Sequence, residues 1–203
     1  MSGLTFDAKT LKRRLSKLPP RHGLTFGVWL LERMLPNFVK FSAETQSEGV
    51  SILDEVVTYA WSVIETGDKD PLRAPPVALC ETIAPDTENF ESIYTSSALD
   101  AAVAACNLLI FIETSNVDLV VEMAGLARDS VDLFIQFSGY VETNGRDLED
   151  KVRNHPLMQL ELSRQETDLA HLERWPLDNG AFLGAALARK SVEQDQLAIG
   201  DPQ

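Results

Sequence analysis

The chain has 203 residues, 44% of them hydrophobic, enough to bury a sizeable core within one domain spanning residues 1–203. Its formal charge of −13 repels phosphate backbones and argues against nucleic-acid partners. Two cysteines, Cys80 and Cys106, make no disulfide framework and suit a reducing cytoplasm, and the N-terminus lacks the apolar stretch of a secretory signal.

The first predicted helix covers about residues 5–18 and stops at Pro19-Pro20. Residues 1–23 hold six basic side chains against Asp7 alone, leaving 12 basic and 30 acidic residues, a formal −18, for the rest of the chain. Two readings follow. The basic helix docks on the acidic body, or it meets a membrane surface or an acidic partner. The narrow stripe of Leu11, Leu15 and Leu18 favours docking.

The next stretch, LLERMLPNFVKF, is apolar enough to be buried yet carries Glu32, Arg33 and Pro36. A proline in a helix removes one N–H donor and collides with the carbonyl four residues back, here that of Glu32. The expectation is therefore a helix over about residues 23–35, a break, and a short helix from Pro36 to near Gln46. Helical spacing continues downstream: Leu53, Val56, Val57, Ala60, Trp61 and Ile64 recur every three or four residues, predicting a helix over about 48–66 that Gly67 ends. A loop over 68–76 precedes a short helix near 77–84.

The run ALDAAVAACNLLIFI has 15 residues and includes Asp100 and Asn107. A span needs about 20 apolar residues, so a central buried helix over about 97–114 is expected rather than a membrane span. Further helices are predicted at about 116–138, with Ser115 and Asp118 at capping-box spacing, and at 147–153. Another runs from Pro156 to about Arg174, and Trp175-Pro176 separates it from a last helix at 178–194 and a frayed tail over 196–203. No strand pattern survives, so the expected fold is all-α, a compact multi-helix bundle with one or two central helices.

Arg33 sits on a helix that is apolar on most faces, and guanidinium keeps its proton. It must be paired or reach water along Trp29. Asp100 and Asn107 are seven residues apart on one side of the central helix, which makes Asp100 a candidate partner for Arg33. Ser97-x-x-Asp100 is also a capping-box spacing, which favours Asp100 as a helix cap over an ion pair with Arg33, with a ligand site the third reading. The candidate ligand-binding residues are Glu32, Arg33, Asn37, Asp100 and Asn107.

The run Glu32-Arg33-Met34 with Pro36, Asn37 and Phe38, the IAPDTENF turn over 83–90, and ALDAAVA around Asp100 resemble the bacterial YjaG-like family, domain of unknown function 416. The resemblance covers most of the chain. The Trp175-Pro176 interruption departs from it. It implies a compact all-α bacterial protein and no particular activity.

The chemistry of the chain is sparse. His155 and His171 stand about 24 Å apart if they share a helix, too far for one metal ion. Asp168-x-x-His171 lacks the second Glu-x-x-His copy that a di-iron site needs. No Gly-x-Ser-x-Gly elbow or glycine-rich phosphate loop occurs. The reading is a cytoplasmic interaction or structural protein without catalytic residues, metal or cofactor, acting through a protein partner or as a homodimer. The alternative is a small-ligand or enzyme site at Pro36.

Overall fold

The computed structural model describes residues 3–70, 72–141 and 147–175, together with 182, 184, 186 and 199. The described residues form eight helices and no strands. The expected last helix and most of the tail lie outside them.

Helix α1 (Ala8–Leu15) starts later than the expected residue 5, because the Asp7 carboxylate caps it by accepting from the Lys9 and Thr10 amides at 3.0 and 3.1 Å, and it ends before Leu18. Leu11 and Leu15 are buried. Helix α2 (Pro20–Thr45) begins with proline in its first turn, where the missing N–H costs nothing. It does not break at Pro36 but runs through it for 26 residues. The expected break is corrected by packing. Trp29, Leu30, Met34, Phe38 and Phe41, on both sides of the proline, are all 2% exposed or less. Burying two phenylalanines gains about 1.5–3 kcal/mol each, enough to offset the roughly 3 kcal/mol cost of an interior proline.

Helix α3 (Val50–Thr66) ends as expected at Gly67, whose φ of 73° suits a residue without Cβ. Helix α4 (Val77–Thr82) follows the loop. Helix α5 (Thr95–Thr114) starts two residues before Ser97, and the Ser97 hydroxyl donates to the Tyr94 carbonyl at 3.0 Å. Asp100 therefore lies inside the helix and is not a cap. Helix α6 (Val117–Phe137) is capped by Asn116, whose side chain accepts from the Asp118 amide, and not by Ser115, which adopts a left-handed conformation. Helix α7 (Leu148–Arg153) leads to α8 (Pro156–Arg174), where proline again takes the first turn and His155 Nδ1 accepts from the Leu157 amide.

Helix α5 is the centre, packed by α2, α3, α4 and α6. It is long and apolar enough to cross a membrane, yet most of that stretch is buried inside the protein. Close approach of α2 to α5 needs Gly27: a Cβ there would stand 2.9 Å from Leu108 Cδ1. A smaller cluster of Val131, Ile135, Val152, Met158 and Leu162 joins α6, α7 and α8.

Candidate functional site

The most polar part of the interior lies between α2 and α8. Steps of about a helical turn place Arg33 and Asn37 on one face of α2. Steps of four and three place Glu161, Gln165 and Asp168 on one face of α8, all buried beside Met158, Leu162, Leu169 and Leu172. Arg33 Nη1 donates to Asp168 Oδ2 at 2.6 Å, and its Nε stands 3.6 Å from Glu161 Oε2. Asp168 is 0% exposed and Arg33 8%, so charges of both signs are held away from water. Gln165 extends the network, donating to Glu161 at 2.8 Å and to the Ala124 carbonyl of α6 at 3.1 Å. One guanidinium thus ties α2 to α8, and one amide ties α8 to α6. Aromatic rings continue the seam. Trp29 meets Trp175 edge-on at 5.5 Å, and His171 stacks on Trp175.

Arg33 is buried and paired, as its surroundings on α2 require. Its carboxylate partners among the described residues are Asp168 and Glu161, not Asp100. Asp100 faces α6 and accepts from the Ser130 hydroxyl at 2.8 Å. Burial pushes its carboxyl up to about 6, with the Ser130 hydrogen bond opposing and Asp129 adding to the rise. Glu32 faces α3 and accepts from Trp61 Nε1 at 2.8 Å. Asn37 accepts from the Ile199 amide at 2.8 Å. Asn107 is buried in α5, and its Nδ2 has no hydrogen-bond partner among the described residues.

The five candidates therefore do not converge. Arg33 and Asn37 share a face; Glu32 and Asp100 bond to other helices. The residues the sequence reading missed are Glu161 and Gln165, and Asp168 was considered only with His171 as half of a metal motif, not as the partner of Arg33. Their signal was present: polar side chains at i, i+4 and i+7 on a helix whose other buried positions hold Met158, Leu162, Leu169 and Leu172.

The remaining titratable groups belong to other places. His22 is buried against Phe182, and burial first, then Arg21, holds its imidazole below the ordinary range. Cys80 and Cys106 are free thiols; the Cys106 thiol donates to the Val77 carbonyl at 3.9 Å, and the influence of each thiol on the other raises Cys80 and lowers Cys106. Among the described residues no group of three His, Cys, Asp or Glu is placed to hold a metal ion. The cavities of about 200, 520 and 100 Å³ that described residues line include none of the five candidates.

The family model described as a protein of unknown function (DUF416) matches residues 10–200. The chain belongs to the DUF416 family. A DUF416 relative, an uncharacterised protein of Haemophilus influenzae, is 28% identical over 163 residues, covering 76% of this chain and 78% of that protein. The crystal structure of a DUF416 family protein from Shewanella baltica superposes with a TM-score of 0.76 at 24% identity, covering 94% of this chain and 95% of that one. At that identity the likeness shows the DUF416 fold alone.

Proposed function

We propose that this DUF416 protein is a non-enzymatic interaction protein of the cytoplasm, and that its partner is a second copy of itself. The carrying observation is on α1. Lys12 and Arg14 are paired within the chain, Lys12 with Asp118 and Arg14 with Glu166 and Glu173. Lys9 and Arg13, four apart on α1, and Lys17 just past its end are exposed cations with no ion pair to any described residue. The body beyond residue 23 carries a formal −18, so a second copy offers a complementary surface. The divergent hydrogen bonds of Glu32, Arg33 and Asp100 support a fold-holding role for those residues rather than a ligand site at Pro36. The free thiols support a reducing compartment.

Native mass spectrometry and light scattering test this. A dimer is expected at about 50 mM salt that weakens at about 500 mM, where the Debye length shrinks to a few ångström. The K9E/R13E/K17E variant is expected to stay monomeric. A wild-type chain that is monomeric at high concentration in low salt overturns the reading.

A further inference from the structure

Three helix ends enclose the cavity of about 200 Å³. The start of α2 and the last turns of α3 and α5 meet there, and the left-handed caps Gly67 and Ser115 lie at its edge. Its floor is apolar: Leu24, Val63 and Phe111 are each 5% exposed or less. The Phe111 ring reaches α2 because Gly23 has no Cβ; one built there would stand 3.0 Å from Phe111 Cζ. An apolar cavity of about 150 Å³ is large enough to hold benzene. This floor therefore fits a benzyl- or isobutyl-sized group whose polar end stays at the mouth.

The mouth presents both signs of charge. Arg21 and Lys69 line it, and so does Glu65. Arg21 lies over the Phe182 ring at 4.6 Å. The Lys69 ammonium donates to the Ile112 carbonyl, one of the last four of α5, which shows that this end of the helix receives an ammonium. That contact uses one of three N–H donors. The helix ends add fixed partial charges, positive at the start of α2 and negative at the ends of α3 and α5. A simple anion would meet Glu65 and two negative helix ends. A simple cation would meet Arg21 and Lys69. A ligand carrying one charge of each sign satisfies both sets.

We propose that this cavity binds a free α-amino acid with an apolar side chain of phenylalanine or leucine size. The side chain occupies the floor, the carboxylate faces Arg21 and Lys69, and the ammonium faces Glu65 and the helix-end carbonyls. The proposal does not depend on the α1 interface.

Calorimetric titration of the full chain with L-phenylalanine, phenylacetate and 2-phenylethylamine tests it, with methyl NMR shifts at Leu24 and Val63 reporting the place. L-Phenylalanine is expected to bind saturably and about tenfold more tightly than either singly charged analogue. Glu65→Gln, at an exposed position, should weaken L-phenylalanine about five- to tenfold and leave phenylacetate no weaker. Val63→Phe should fill the floor and abolish binding, with circular dichroism confirming that it folds. The proposal is overturned by any of three results: no saturable binding of L-phenylalanine, an analogue that binds as tightly, or unchanged affinity in Glu65→Gln.

Discussion

At Arg33 the cost of substitution comes from what stays behind. Arg33→Ala takes a guanidinium away from Asp168, which is 0% exposed, and from Glu161. Removing one partner of a buried pair costs about 3–5 kcal/mol, read as a lower urea midpoint. Removing the charges together with Arg33→Met, Asp168→Leu and Glu161→Gln should recover more than half of that loss, since apolar groups of similar volume replace buried pairs at little cost. Asp100 makes the opposite kind of contribution. Its folded value is raised to about 6 from an ordinary value near 3.8, so the folded state holds a proton there that the unfolded chain has released. The stability this gives is fully present below the unfolded value and is lost as pH rises through about 6. Asp100→Asn keeps an acceptor for Ser130 and removes the titration. The variant should match wild type near pH 4 and be more stable by about 2–3 kcal/mol at pH 7. A constant difference between the two melting curves across that window would refute this. The need for a partner at Arg33 was legible in the sequence, because an arginine on a mostly apolar helix has few alternatives. The choice of Asp168 over Asp100 was not. Both lie on helices with a polar stripe, and only the three-dimensional register decides between them.

Among the helices, ends set by local chemistry were legible and ends set by packing were not. Gly67 ends α3 and Pro156 opens α8 because backbone geometry at those residues acts within one turn. The capping boxes expected at Ser97 and Ser115 did not form, because a capping-box spacing is only three residues long and occurs by chance, and here Tyr94 and Asn116 hold the cap positions. Pro36 is the clearest case. Its local cost is real, but a continuous buried face from Trp29 to Phe41 outweighs it. If the proline is carried by packing rather than exploited as a bend, restoring the donor to the Glu32 carbonyl must help. Pro36→Ala is therefore expected to stabilise the protein by about 1–3 kcal/mol in urea melts. Destabilisation would mean that the proline aims Phe38 and Phe41 into the core.

Across the whole molecule, charge is sorted by sign: a cationic first helix rests on an anionic body, an arrangement visible in the sequence as the contrast between residues 1–23 and the rest. Leu11 and Leu15 supply the apolar contact, and Arg14 supplies the direction, donating through Nε and Nη2 to the Glu173 carboxylate at 2.8 and 2.9 Å and through Nη1 to Glu166 at 2.6 Å. Arg14 holds Glu173 below its ordinary carboxylate range. Stability from such a depressed carboxylate is present above the unfolded value and is lost as pH falls through the folded one, opposite in sign to Asp100. Both acid and salt should thus loosen α1 while the α2–α8 seam, dry and little screened, stays closed. Because the Arg14 partners are partly exposed, the pairing is worth about 1 kcal/mol, which corresponds to roughly fivefold faster amide exchange when it is removed. Hydrogen exchange should therefore show amides 11–16 speeding up about fivefold in Arg14→Ala, and again in wild type at high salt, with α8 amides around Asp168 unchanged. Equal acceleration in both helices would mean that α1 and the seam open as one unit.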